Sequence, residues 1–319
     1  MNHSSISKTR LASLDLGTNT FLLLIADIDD GRVEPVLDRE TIVRLGKGVE
    51  AAGNLNAAAM QRGYACLREY VKLAQQYEVE KIFAVGTSAL RDAANRSEFL
   101  DAALEQTGMH IEIISGEKEA RLTFAGTLSN KANLPEPIAV LDIGGGSTEV
   151  VIGAPSLLAT RETALQARSA DIGSVRLTER LALNDPVLPE EVMRIRQQAE
   201  TVMRATWPAA SLTAVKTLLG TAGTITTLAA MAQEMRAYEA RRIDGFKLTR
   251  QKLGELIIEL RRRTVAERCE LPGLSPARAD VILAGAIILE TFLDLYQFPE
   301  LMVSDRGLRY GVLVEATGR

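Results

Sequence analysis

At 319 residues the chain has room for two domains of ordinary size, and its 46% apolar and 24% charged residues are those of a water-soluble globular protein. Thirty-seven basic against 41 acidic residues give a net charge of −4, so nothing global suggests nucleic acid as a partner, and no apolar run approaches the roughly 20 residues of a membrane span. Cys66 and Cys269 stand far apart and the two histidines are His3 and His110. That rules against a Cys/His metal cluster or a Ser/His/Asp triad, and leaves carboxylates, arginines, hydroxyls and backbone amides to do the chemistry.

In chain order, Met1 to Arg10 is polar and lacks the apolar core of a secretory signal; with the sparse cysteines it points to the cytoplasm. Leu11 to Ala26 is an apolar run ending in Asp15, a small-residue turn (Gly17, Thr18, Asn19, Thr20) and a returning apolar run, the pattern of strand, tight turn and strand. Residues 33–45 read as a further strand. Asn56 caps a helix to about Tyr77, along which Met60, Tyr64, Leu67, Val71 and Ala74 recur at helical spacing as a core stripe. A buried strand over Lys81–Gly86, a helix from Asn95 to Gln106, a strand over His110–Ile114 and a helix opened by Ser115 and Gly116 complete a first α/β half ending near Phe124.

The second half begins with Ile138 to Gly153. An apolar run ends in Asp142; Gly144, Gly145 and Gly146 follow, then Ser147, Thr148 and Glu149, and a second apolar run returns. Successive N–H groups in such a glycine turn can form an anion-binding nest, and Asp142 offers a hard oxygen ligand suited to Mg²⁺. This stretch repeats the pattern of 11–26, which suggests a duplicated fold with both loops facing one cleft. Residues 154–175 are polar and strand-poor, leading into Asp171-Ile172-Gly173-Ser174-Val175-Arg176. A helix over Pro189–Thr206 and a strand over Val215–Gly220 follow. The strand enters Thr221-Ala222-Gly223-Thr224 and a helix to about Arg236, whose first amides offer another phosphate contact. Arg241, Arg242, Lys247 and Arg250 read either as a solvated basic face or as a track for a long polyanion. Leu253, Leu256, Ile257 and Leu260 mark the core side of a helix. A long apolar helix over Pro276–Gln297, a strand over Leu301–Ser304 and a last helix from Asp305 close the chain.

Six motifs, in this order, carry a resemblance: Asp15-Leu-Gly-Thr-Asn-Thr, Gly86-Thr-Ser-Ala-Leu-Arg91, Ser115-Gly-Glu-Lys-Glu-Ala-Arg-Leu122, Asp142-Ile-Gly-Gly-Gly-Ser-Thr-Glu149, Gly220-Thr-Ala-Gly-Thr224 and Ser304-Asp-Arg-Gly-Leu-Arg309. Together they resemble the exopolyphosphatase / guanosine pentaphosphate phosphohydrolase family over nearly the whole chain. The resemblance implies two ribonuclease-H-like domains of the actin / sugar kinase / Hsp70 superfamily flanking a cleft. We divide them as residues 1–124 and 125–305, with a C-terminal helix over 306–319 returning to the first domain. It also implies Mg²⁺-dependent cleavage of the terminal phosphate of inorganic polyphosphate, or of guanosine pentaphosphate, by water.

Carried over by motif, Glu119 matches the glutamate that activates the attacking water and Arg91 the arginine that grips the terminal phosphate. Asp142 is the first candidate for the metal, with Glu149 and Asp15 behind it. Gly144, Gly145, Gly146 and Ser147, and Asn19 and Thr20 from the opposite domain, are expected to donate to phosphate. Glu117 is read as a helix N-terminal charge. Longer relatives carry a further C-terminal helical region and an HD-type domain; this sequence stops at Arg319, and highly processive digestion is not carried over. Asp244 stands where relatives commonly have histidine. The resemblance allows a homodimer, and no sequence feature marks its surface. A superfamily kinase and a polyphosphate or alarmone sensor are the alternatives from other classes. The Ser115–Leu122 motif favours the hydrolase over the kinase, and the presence of Glu119, Arg91 and Asp142 together favours it over the sensor.

Overall fold

A computed structural model describes residues 8–154, 165–181 and 183–318; His3 lies outside them. The first half forms β1 (Thr9–Leu16), β2 (Thr20–Asp29), β3 (Arg32–Ile42), α1 (Val49–Ala52), α2 (Ala57–Gln76), β4 (Lys81–Gly86), α3 (Ser88–Asp92), α4 (Arg96–Thr107), β5 (Ile111–Ile113) and α5 (Gly116–Leu128). The second forms β6 (Ile138–Ile143), β7 (Thr148–Gly153), β8 (Gln166–Ala170), α6 (Ser174–Leu181), α7 (Pro189–Thr206), α8 (Ala209–Leu212), β9 (Thr217–Thr221), α9 (Ala222–Ala232), α10 (Ala240–Ile243), β10 (Lys247–Thr249), α11 (Arg250–Arg261), α12 (Val265–Arg268), α13 (Ile282–Leu295), β11 (Glu300–Val303) and α14 (Leu308–Ala316).

The duplication is explicit in the topology. One sheet runs β3-β2-β1-β4-β5 and the other β10-β11-β9-β6-β7-β8. Matching β6, β7, β8, β9 and β11 to β1 to β5 superposes the two orders, with β10 added at one edge. In each sheet an antiparallel hairpin feeds a parallel neighbour: β1 with β2 and β4, β6 with β7 and β9. β6 is buried along its whole length, as a central strand covered on both faces must be, which explains its unbroken apolar run. The strand-poor reading of 154–175 is corrected: β8 lies within it. Gln166-Ala-Arg-Ser-Ala gives little sign of a strand because it is a half-exposed edge pairing only with β7; residues 155–164 of that stretch lie outside the described residues. The long helix expected over 276–297 is instead a single 3-10 turn, Pro276–Arg278, followed by α13.

The last helix of each half packs on the other half's sheet. Ala120, Phe124 and Leu128 of α5 join Ile138, Val140, Val151 and Leu219, while Tyr310 and Leu313 of α14 join Leu11, Leu24, Ala26 and Val33. A boundary at residue 124 therefore cuts through α5, whose apolar face belongs to the second core. The two exchanged helices also cross each other, Leu122 meeting Leu308 and Val312.

The crossing is set by glycine. A Cβ built on Gly311 would stand 1.8 Å from the Leu122 carbonyl oxygen, which is backbone and cannot swing away. Gly311→Ala is expected to force α5 and α14 apart and to cost about 1–3 kcal/mol, read as a lower urea midpoint with an unchanged slope; an unchanged midpoint would show that the crossing yields freely.

Candidate active site

β1 and β6 deliver Asp15 and Asp142 at equivalent strand ends, and the same bond closes the turn after each. The Gly17 N–H donates to the Thr20 carbonyl at 3.0 Å, and the Gly144 N–H to the Ser147 carbonyl at 3.0 Å. This corrects one expectation: Gly144 uses its own N–H to close the turn and is no donor to phosphate. The N–H groups of Gly145, Gly146 and Ser147 find no acceptor among the described residues. In the first hairpin the carbonyls of Thr18 and Asn19 are turned toward 43–46 by hydrogen bonds from Gly46 (2.8 Å), Val43 (3.0 Å) and Arg44 (2.8 Å). The buried Asn19 Nδ2 is left without a hydrogen-bond partner. The two turns touch: a Cβ on Gly146 would fall 2.4 Å from Ser88 Oγ and 2.7 Å from Thr18 Oγ1.

Glu119 enters from α5, capped by Ser115, whose Oγ accepts from Lys118 N–H at 3.1 Å. Glu117, two residues earlier, is exposed while Glu119 is buried, as opposite sides of a helix require. The Glu119 carboxylate meets Arg91 Nη1 at 2.6 Å, and the same nitrogen donates to the Ile114 carbonyl at 3.1 Å. Nε and Nη2 of Arg91 have no acceptor among the described residues and remain for a ligand.

Asp142 and Glu149 are direct cross-strand partners in the β6–β7 ladder, so both side chains leave the same face a few ångströms apart. Burial, and then the charge on Glu119, push the Asp142 carboxyl up to about 7. Glu149 is held well above the carboxylate range by burial and by Glu119 and Asp142, although it accepts from Ser169 Oγ at 2.6 Å. Asp15 is also raised by burial and by the same two charges. Glu119 is raised by burial, with Arg91 opposing the shift. Asp15 Oδ1, shielded from solvent, has no hydrogen-bond partner. Crowded carboxylates with an orphaned oxygen are what a hard cation would relieve. Among the described residues no three such side chains form a ready cage, and a cation held by one or two carboxylates with water and substrate oxygens needs none.

Two arginines that sequence reasoning missed line the same cavity of about 100 Å³. Arg278 reaches across the cleft to Thr20 Oγ1 and Glu40, both at 3.1 Å. Its signal was hidden because the Pro276 turn reads as the start of a long helix. Arg309, at the head of α14, is ion-paired to Asp38 at 2.8 Å; it closes the Ser304–Arg309 motif, whose residue types alone give it no role. The basic stretch at 241–250 does not form a free track: Arg242 pairs with Glu239, Lys247 with Glu300, and Arg250 with Glu290 and Asp294. Asp244 pairs with Lys131 at 2.8 Å and accepts from Asn130.

Residues 24–319 match the Ppx/GppA phosphatase family. The chain belongs to that family. Exopolyphosphatase 2 of Mycobacterium tuberculosis is 37% identical, over 97% of this chain and 99% of that protein. The crystal structure of the Aquifex aeolicus Ppx/GppA family member superposes with a TM-score of 0.79 at 34% identity, over 97% of each chain. That of an exopolyphosphatase from Cytophaga hutchinsonii gives 0.87 at 27% identity, over 97% of this chain and 98% of that one. The family relationship accounts for the fold as two ribonuclease-H-like domains of the actin / sugar kinase / Hsp70 superfamily around a cleft.

The raised carboxyls set a pH dependence. Asp142 keeps its proton in the native state up to about pH 7, whereas the unfolded chain gives it up near pH 4. The native state thus binds more protons between those values, and metal-free stability falls as pH rises through this window. Mg²⁺ is expected to raise the melting temperature more at about pH 8 than at about pH 5.5; an equal rise at both, followed by differential scanning fluorimetry, would remove these carboxylates from the metal site.

Proposed function

We propose that this chain is an exopolyphosphatase, releasing the terminal phosphate of inorganic polyphosphate with Mg²⁺ in the cytoplasm. The observation that carries the proposal is the Glu119–Arg91 pair, whose carboxylate lines the cavity that both turns line. A buried carboxylate held in place by a guanidinium, with two guanidinium nitrogens still free, can orient a water and grip the phosphoryl group it attacks. The likeness to the M. tuberculosis exopolyphosphatase supports the choice of substrate.

In this reading the N–H groups of Gly145, Gly146, Ser147 and Asn19 and the hydroxyl of Thr20 bind the terminal phosphate. Arg91 takes its oxygens through Nε and Nη2. Glu119 accepts the proton as water attacks in line and the anhydride bond to the shortened chain breaks, with no phosphoenzyme. Asp142, assisted by Asp15 and Glu149, would hold Mg²⁺, which when bound neutralises charge building on the phosphate oxygens. Burial raises the Glu119 carboxyl above that of a free glutamate, which strengthens it as a base, while the Arg91 charge opposes the shift.

One observation favours guanosine pentaphosphate as a second substrate. A cavity of about 900 Å³ adjoins the phosphate site through Ala222, Gly223, Arg278 and Arg309, and is walled by Met235, Tyr238 and Leu271–Leu274. That is within the range of pockets that enclose nucleoside-sized ligands.

Phosphate release from short polyphosphate, long polyphosphate and guanosine pentaphosphate, measured side by side, distinguishes these readings. Glu119→Gln is expected to lower kcat by about 10²–10⁴-fold on any substrate used. Turnover within a few fold of wild type would remove Glu119 as the base, and release from none of the three would overturn the hydrolase reading.

A further inference from the structure

The Asp171–Arg176 motif has no part in the mechanism above, yet it leads into α6 and meets both walls of the cleft. On one side, α6 grips the glycine turn by its carbonyls. The N–H groups of Ser174 and Val175 donate to Gly144 and Gly145 at 3.0 and 2.9 Å, that of Arg176 donates to Gly145 at 3.0 Å, and Arg176 Nε donates to the Gly146 carbonyl at 2.6 Å. In a planar trans peptide the C=O of one residue and the N–H of the next point in opposite directions. Tying back the carbonyls of Gly144, Gly145 and Gly146 therefore turns the N–H groups of Gly145, Gly146 and Ser147 outward, where they form the phosphate nest.

On the other side, the same guanidinium crosses to the first domain. Nη2 donates to Asp92 and to Ser88 Oγ at 3.3 Å, and Nη1 donates to Glu50. Asp92 is the neighbour of Arg91 on α3. Arg180 adds a second bond to Glu50 at 2.8 Å, and the Glu179 carboxylate accepts the Gly48 N–H at 3.1 Å. Arg176, Glu179 and Arg180 stand at helical spacing on one face, so this face of α6 is a polar clasp. The Arg176 side chain is only 13% exposed, and all three of its nitrogens are used.

We propose that Arg176 is a positioning residue: it fixes the phosphate nest of one domain against the helix carrying Arg91 in the other, and so holds the cleft closed in its reactive geometry. The proposal rests on the phosphohydrolase reading for its kinetic consequence, and on the structure alone for its geometric one. Arginine is required because a planar fork must serve a carbonyl and two carboxylates at once; lysine offers one point charge.

The test uses the full chain and the variants Arg176→Ala, Arg176→Lys, Asp92→Asn and the Arg176→Ala/Asp92→Asn pair, each checked for a cooperative melt. Small-angle scattering is expected to give a larger radius of gyration for Arg176→Ala than for wild type, whether or not any substrate is turned over. Phosphate release from polyphosphate is expected to lose on the order of 10²-fold in kcat/KM, with kcat falling as well as KM rising. Arg176→Lys should recover only part of it, and the double variant should be little worse than Arg176→Ala, because both remove one linkage. A wild-type radius together with kcat/KM within about twofold of wild type, or losses in the two single variants that simply add, would overturn the clasp. A wild-type chain that releases no phosphate while Arg176→Ala still expands would overturn the hydrolase reading and leave the clasp standing.

Discussion

Asp142 and Glu149 face each other across one rung of the β6–β7 ladder, and the duplicated hairpin brings Asp15 to the opposite wall while α5 adds Glu119. Burial removes water from all four carboxyls and raises each of them, and the neighbouring carboxylates add to the shift at Asp15, Asp142 and Glu149. A fold selected for stability alone would not assemble this group. It is tolerated because rigid, well-packed sheets on both sides hold it, and because Arg91 compensates one member directly. What remains is a set of carboxyls raised by burial, Asp15, Asp142 and Glu149, beside outward-facing amides, an arrangement that suits a cation and a phosphate together better than either alone.

The exchange of α5 and α14 between the halves gives this charge group its mechanical setting. Glu119 lies in the first turns of α5, a helix whose apolar face is buried in the second core. Arg309 lies at the start of α14, packed on the first core. Each helix packs on the sheet of the other half, so their crossing near Gly126 and Gly311 ties the two halves together. The far side of the cleft is joined by polar groups instead: the α6 face, and Arg44, which holds Asp280 through two hydrogen bonds of 2.9 Å. The two halves are thus joined in two ways, by apolar packing at the helix crossing and by charged pairs at α6 and Arg44.

The sequence made the hairpins, the glycine turn and the α2 stripe legible because each is a local pattern. An apolar run ending in aspartate, glycines without Cβ, and a helical repeat behind Asn56 all declare themselves within about 20 residues. Glu119 and Arg91 were legible only through motif resemblance, since their contact joins α5 to α3 and no spacing rule connects them. Arg278, Arg309 and Arg176 were not found as contributors, because each acts on a partner far away in sequence, Arg278 and Arg176 across the cleft and Arg309 on β3 of the sheet that α14 covers. The use of Gly144 to close its own turn was likewise invisible to composition: which glycine donates outward depends on the turn's hydrogen bond, not on the residue type. The 241–250 stretch stays open in the sequence between a solvated basic face and a polyanion track because the partners that decide it, Glu300 for Lys247 and Glu290 and Asp294 for Arg250, lie far away in β11 and α13.

Water placed by Glu119 is proposed to attack the terminal phosphorus directly. Hydrolysis in isotopically labelled water of a substrate whose terminal thiophosphate is chiral measures this in one experiment. A single in-line displacement inverts the configuration at phosphorus, and inversion is the result the account predicts. Retention would mean two displacements through a phosphorylated side chain, and would contradict it.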